Sequence, residues 1–286
     1  MENYKKSDVT QYIQTVDMDI MTSLKNVLVE HELEYFLIAG SVLGAVRHKG
    51  FIPWDDDVDF GMPRKDYEQF IQNMDKWLPE GFHAENYHTN DSYKYYITRV
   101  YNDNAPIKEL RGEGGGTVTN ISIDIFPFDG TPDNKVVRWF FIKEIMAWRM
   151  LASFANRNNI DKKRSRGLFE KLLIGVANVI RIDRFVTSST FYRIIDKKLK
   201  KYKYEESQYV GSLMGAYREK EIVQKSWIEP VKMYKFENQN FFGPGDFDSY
   251  LTHMYGDYLK VPPYEQIVEK KHFELLDKSD YEEQLE

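Results

Sequence analysis

Four aspartates fall within five residues, Asp55-Asp56-Asp57-Val58-Asp59, between Trp54 and Phe60. Carboxylates crowded this closely repel one another unless a cation stands among them. Asp59, flanked by Val58 and Phe60, lies in an apolar stretch where an unpaired charge is costly. The fold must therefore carry this cluster to a place that positive charge can reach. In an extended run side chains repeat every two residues, so Asp57 and Asp59 share a face and Asp55 roughly joins them. Mg²⁺ prefers such hard oxygen ligands and completes its octahedron with water and phosphate oxygens. Mn²⁺ is an expected substitute, and a solvated acidic turn is the alternative. A calcium loop counted from Asp55 needs Gly at position six and Glu at position twelve, where this chain has Phe60 and Asp66.

The preceding residues have a complementary character. Tyr35 to Ala39 reads as a buried strand ending at Gly40, and Ser41 to Arg47 as a short helix. A helix N-terminus offers unpaired N–H groups and partial positive charge, so it can hold a phosphate. Gly40 would let the backbone approach that phosphate, and the Ser41 hydroxyl could donate to it; the simpler reading is a plain N-cap. Arg47, His48 and Lys49 follow the helix, and Arg99 lies on a later strand. Each can neutralise phosphate or be a surface charge. A third carboxylate, Asp124, interrupts the alternating strand from Thr119 to Phe128. Ile121, Ile123 and Ile125 take one face, and Ser122, Asp124 and Phe126 the other. Asp124 can complete a metal site, accept the proton of an attacking hydroxyl, or simply be salt-bridged.

Elsewhere, helical spacing runs from Val9 to Leu33 with Asp8 as N-cap, and Pro63 starts a helix to about Leu78. Phe82 to Tyr87 and Tyr93 to Tyr101 have strand character, and Arg111 to Gly116 reads as a loop. Beyond a boundary near Thr131-Pro132-Asp133, Asn134 to Asn156 and Leu168 to Tyr202 are helical in pattern and basic. The C-terminal stretch mixes short strands and turns with a helix around Phe247 to Met254. A net charge of −6 gives no reason to expect nucleic acid. With no cysteine, disulfides and thiolate zinc sites are excluded. The chain shows neither a secretory leader nor an apolar run of about 20 residues, so a soluble, cytoplasmic protein is expected. Aromatic residues make up 15% of the chain. Trp54, Tyr93, Tyr95, Tyr96 and Tyr101 are candidates for the core or for a ligand wall.

The stretch Ala39-Gly40-Ser41-Val42-Leu43-Gly44-Ala45-Val46-Arg47-His48-Lys49-Gly50-Phe51-Ile52-Pro53-Trp54 with Asp55 to Asp59 resembles the signature of the LicD family. So do Ile123-Asp124-Ile125-Phe126-Pro127, and Tyr255-Gly256-Asp257-Tyr258 followed by Pro262-Pro263 and His272. The resemblance covers about residues 20 to 275 and is thin between 133 and 225. That family includes bacterial phosphocholine transferases and is related to fukutin-type ribitol-phosphate transferases. It implies an α+β fold: a nucleotidyltransferase (polymerase-beta-like) mixed-sheet core over residues 1–131, with residues 132–286 as an added helical and C-terminal region completing the substrate site. It also implies Mg²⁺-dependent transfer of a phospho-alcohol from a CDP-activated donor to a glycan hydroxyl, with release of CMP. Phosphocholine from CDP-choline is the first expectation, and ribitol or glycerol phosphate the alternatives. Asp55, Asp57, Asp59 and Asp124 would hold metal, with Asp57, Asp59 and Asp124 catalytic. Gly40, Ser41, Arg47, His48, Trp54, Arg99 and His272 would contact substrate. The competing readings are a true nucleotidyltransferase that releases pyrophosphate and a non-catalytic glycan- or membrane-binding protein. The acceptor would be a cell-surface glycan, teichoic acid, capsule or lipopolysaccharide precursor. The basic helices can touch an anionic membrane or be core helices with solvated faces.

Overall fold

The apolar stripe Ile13, Val16, Ile20, Leu24, Val27 and Leu28 recurs at helical spacing and is buried along one side of helix α1 (Asp8–Glu30). In the computed structural model, which describes residues 7–110, 117–155, 187–263, 267 and 273–276, Ser7 caps this helix rather than Asp8. Its hydroxyl accepts the Thr10 N–H at 3.1 Å, while Asp8 sits in the first turn. Helix α1 packs on a mixed sheet whose central order is β1 (Phe36–Leu37), β2 (Asp59–Pro63), β5 (Thr117–Gly130), β4 (Thr98–Glu109) and β10 (Phe273–Glu274). Strands β2 and β5 run parallel; the other neighbours are antiparallel. Strand β3 (Phe82–Glu85) adds to β4, while β6 (Tyr209–Gly211) and β7 (Val223–Gln224) extend the end of β5.

A parallel β2–β5 pair requires a long connection. Helix α3 (Arg64–Trp77), β3 and β4 supply it, and α3 buries Tyr67, Phe70 and Met74. Between β1 and β2 stands α2 (Ala39–Arg47), followed by the acidic loop. Beyond β5 come α4 (Lys135–Ala155), α5 (Ser188–Leu199), α6 (Lys225–Ile228), the hairpin β8 (Lys232–Phe236) and β9 (Gln239–Gly243), and α7 (Phe247–Tyr255). The molecule is thus a mixed α/β protein. Two strand expectations need correction. The strand expected at 93–101 begins at Thr98, because Tyr93 and Tyr96 are buried as packing side chains in a turn before it. Residues 55–58 precede β2 instead of belonging to it, so strand alternation does not place Asp55 and Asp57. The loop expected at 111–116, the 168–186 part of the second basic helix and His272 lie outside the described residues.

One apolar core joins α1, the sheet and α3 to Phe236, Phe241, Tyr250, Leu251 and Met254 from late in the chain. A second gathers Phe141, Ile145, Tyr192, Ile195 and Leu199 around Tyr87 and Tyr96. A buried ion network stands between them. The Arg64 guanidinium forks onto Asp129 at 2.7 and 2.6 Å, reaches Asp196 at 2.8 Å and donates to the Tyr96 hydroxyl at 3.0 Å. Asp196 also receives Lys200 at 2.5 Å. Removing one partner leaves a buried charge uncompensated, which costs more than the intact pair contributes. Arg64→Ala should therefore lower unfolding stability by about 3–5 kcal/mol in chemical denaturation, and Asp129→Asn on that background should recover part of the loss. A loss below about 1 kcal/mol would mean that water already screens the network.

Candidate functional site

The strand-to-helix corner is tied down on both sides. Ala39 adopts a left-handed backbone (φ 47°) and its N–H donates to the Tyr250 hydroxyl at 3.0 Å. Ser41, buried in the first turn of α2, accepts the Asp59 N–H on its Oγ at 2.9 Å, which fixes the start of β2 against α2. A side chain at Gly40 would place its Cβ 3.0 Å from Asp55 Oδ2, so the small residue makes room for a site carboxylate. The structure thus gives the Gly40-Ser41 pair a role in building the acidic loop.

Register places the rest. Asp59 on β2 is the direct neighbour of Asp124 on β5, which in turn faces Arg99 on β4. Cross-strand neighbours project to one face, so Asp59, Asp124 and Arg99 form a row. Arg99 Nε donates to Asp124 at 3.0 Å, and the guanidinium lies 3.9 Å from the Tyr95 ring centre. Among the described residues, Asp55, Asp56 and Asp57 form a group in which one carboxylate oxygen from each lies within 4.8 Å of those of the other two. This all-oxygen set suits a hard divalent cation, with exposed Asp57 at the mouth and the Asp59–Asp124 row beside it. Asp56 thereby joins the site, whereas an extended run would turn it away. Enclosure by the protein, then the charges of Asp57, Asp124 and Asp55, raise the Asp59 carboxyl well above the usual range.

Arg47 is already engaged: it donates to the Tyr258 carbonyl at 2.8 Å and to His48 Nε2 at 2.9 Å, 5.9 Å from the Trp54 ring centre. Burial lowers its pKa, opposed by Asp55. His48 meets Trp54 edge-on at 6.0 Å, so Arg47, His48 and Trp54 make one partly exposed wall beside the acidic loop. Tyr93, Tyr96 and Tyr101 are largely buried, and Tyr95 is covered by Arg99.

Sequence reading missed several groups that the fold brings here. Tyr217 and Tyr255 meet edge-on at 5.8 Å and feel the charges of Asp55 and Asp59 respectively. Glu221 also acts on Asp59, and burial pushes its carboxyl up to about 7 against contacts from the Tyr217 N–H and Arg149. No local motif marks these residues. Asp17 did leave a signal: it interrupts the buried face of α1 four residues after Ile13 and three before Ile20.

A mixed α/β protein with an oxygen-rich acidic mouth beside an arginine-backed carboxylate row has the makings of a site for a cation-bound phosphate. Residues 32–154 match the profile described as LicD/FKTN/FKRP, nucleotidyltransferase domain. The chain is similar to the lipopolysaccharide cholinephosphotransferase LicD of Haemophilus influenzae, at 25% identity over 88% of this chain and 92% of that protein. Shorter similarities, 35% and 40% identity over 63 residues, link it to uncharacterised proteins of Rickettsia typhi and Rickettsia prowazekii. These cover 22% of this chain and 20% and 24% of the relatives.

The raised Glu221 has a consequence with a definite sign. Its folded value of about 7 lies above the ordinary 4.5, so its contribution is fully present below about 4.5 and is lost as pH rises through 7. In cation-free protein, Glu221→Gln should be more stable than wild type at pH 8, by about 1–3 kcal/mol. That advantage should vanish near pH 4.5, as read by chemical denaturation across pH. A constant difference at every pH would contradict the raised value.

Proposed function

We propose that the chain transfers a phospho-alcohol, first phosphocholine from CDP-choline, to a hydroxyl of a cell-surface glycan, with release of CMP. The observation that carries this reading is the meeting of Asp55–Asp57 with the Asp59–Asp124–Arg99 row, in a chain similar along most of its length to a cholinephosphotransferase. Residues 1–131 would form a nucleotidyltransferase-like core, and residues 132–286 would complete the substrate site through Tyr217, Glu221 and Tyr255.

Asp55, Asp57, Asp59 and Asp124, joined by Asp56, would hold Mg²⁺, or Mn²⁺ in its place. Such a cation would supply charge neutralisation at the donor pyrophosphate. The residues orient the rest. Arg99 holds Asp124 in place by their 3.0 Å bond, and the Arg47–His48–Trp54 wall borders the loop where the donor would lie. A choline cation would be favoured by the faces of Trp54 and of Tyr217, which is 46% exposed beside the acidic loop. The acceptor oxygen forms a bond to the alcohol-bearing phosphorus as that phosphorus parts from the oxygen of CMP, and the hydroxyl proton passes to a site carboxylate. Positioning and charge dominate such a transfer, which suits a site rich in carboxylates.

Incubation with CDP-choline, CDP-ribitol, CDP-glycerol and CTP, each with Mg²⁺, tests this reading. CMP release from CDP-choline is expected, with Asp57→Asn and Asp124→Asn each reducing it by at least about a hundredfold, on the scale of lost charge stabilisation in a site of this kind. Turnover of another CDP-alcohol would revise the donor. Pyrophosphate from CTP alone, or unchanged turnover in Asp57→Asn, would overturn the assignment.

The location we propose is the inner face of a membrane. Among the described residues no helix is long and apolar enough to cross a bilayer. Helix α4 instead turns Val136, Trp139, Phe140 and Met150 outward, Phe140 at 63% exposure. Lys198 and Lys201 line the groove beside α4 together with Phe140, Phe141 and Glu144, and Lys135 and Lys143 are exposed on α4 and Lys197 on α5. Aromatic side chains rimmed by lysine suit an anionic lipid surface, and this basic face belongs to a chain of net charge −6. Wild-type protein should co-sediment with phosphatidylglycerol vesicles at low salt and release at high salt, and Trp139→Glu with Phe140→Glu should abolish binding. Equal binding to neutral vesicles, or none at low salt, would overturn this location.

A further inference from the structure

Asp17 is the most deeply placed carboxylate near the site: its residue is 1% exposed. Neither of its oxygens has a hydrogen-bond partner among the described residues. A buried carboxylate with both oxygens unmatched is expensive, and native proteins rarely keep one without a compensating group. Its surroundings deepen the problem. The groups acting on it most strongly, after burial itself, are Asp57, Asp56, Asp124 and Asp55, all carboxylates, and together they hold its acid form far above the usual range. The helix that carries it is fastened to the acidic loop. Gln14, one turn earlier on α1, donates from Nε2 to the carbonyls of Ile52 at 3.0 Å and Asp55 at 2.8 Å. Helix α1 thus delivers a negative group to the back of a negative cluster and is bonded there.

We propose that Asp17 belongs to the cation site, standing behind Asp55–Asp57 and accepting hydrogen bonds from the water shell of a divalent cation held in that cluster. Mg²⁺ keeps several of its waters when protein-bound, and carboxylates behind the direct ligands orient those waters. Asp17 lies outside the tight Asp55–Asp57 group, which fits a contact through water. This inference rests on the proposed cation site but not on the identity of the transferred group.

The test compares wild type with Asp17→Asn, which keeps the shape and removes the charge. Mn²⁺ binding is measured by calorimetry without nucleotide, and thermal unfolding with and without Mg²⁺. Asp17→Asn should bind Mn²⁺ at least about tenfold more weakly and lose much of the Mg²⁺-induced rise in Tm. Its metal-free Tm should equal or exceed that of wild type, because a repelling charge is gone. A purely structural Asp17 would give a lower metal-free Tm with the same Mn²⁺ affinity and the same Mg²⁺-induced rise, and that result would falsify the proposal. Should Asp17→Asn fail to fold, amide exchange in wild type decides. Mg²⁺ should slow exchange in α1 around residues 14–20 as well as in residues 52–59, and slowing confined to 52–59 overturns the inference. Weakened Mn²⁺ binding in a protein that turns over no CDP-alcohol would leave Asp17 in place and remove only the proposed reaction.

Discussion

Repulsion among carboxylates that cannot leave one another is the constraint on which this structure turns. Asp55, Asp56 and Asp57 are adjacent in the chain, Asp59 is sewn to Ser41 through its N–H, and Asp124 is placed beside Asp59 by parallel pairing. The backbone keeps these groups neighbours, so a change of rotamer spreads the charges without dispersing the cluster. Among the described residues one guanidinium, that of Arg99, is bonded to this row, and its bond goes to Asp124. Five carboxylates held this close suit the divalent cation proposed above. The protein keeps them there with architecture: a sheet that holds the row rigid, a helix corner with a glycine where Asp55 needs space, and a long helix clamped behind the loop.

Much of this was legible because the decisive signals were local. The period of the α1 stripe, the alternation around Asp124 and the Pro63 boundary each reflect one element's own geometry. The structure returns helices or strands at all three. What stayed hidden depended on partners distant in sequence. Tyr95 had the composition of a strand or a ligand wall, yet it covers Arg99 in a turn before β4. Arg47 stood between two motifs like a phosphate contact, but the Tyr258 carbonyl, 211 residues on, is one of its partners. Asp56 was set aside by an alternation that residues 55–58 do not follow. Tyr217 and Glu221 offered no motif, since their places near Asp55 and Asp59 exist only once the second half of the chain has packed.

The division of labour between the halves follows from the same charges. The main core already includes Phe236, Phe241 and Tyr250, so the late segments are part of the packing around the early strands. Tyr250 stabilises the left-handed Ala39 that starts α2, and Glu237 accepts the Phe51 N–H at 3.1 Å on the way into the acidic loop. These contacts hold the strained corner and the loop from outside. The site's geometry is therefore a property of the whole chain, even though its charges lie in two short segments.

The buried Arg64 network is the counterpart of the acidic site. Both gather several ionisable groups in one place, but the first is buried and closed. Arg64 is matched to Asp129 and Asp196, and Lys200 and Tyr96 take up further valences of Asp196. Such a set has no use for an outside ion. The cluster at Asp55–Asp59 has the opposite balance, with carboxylates facing carboxylates and an exposed Asp57 at its edge. A protein that neutralises one buried ionic cluster with its own arginine and lysine had the means to neutralise the other. The acidic cluster instead borders solvent at Asp57, with Asp17 unmatched behind it, and on that contrast rests the proposal that a cation and its phosphates occupy it.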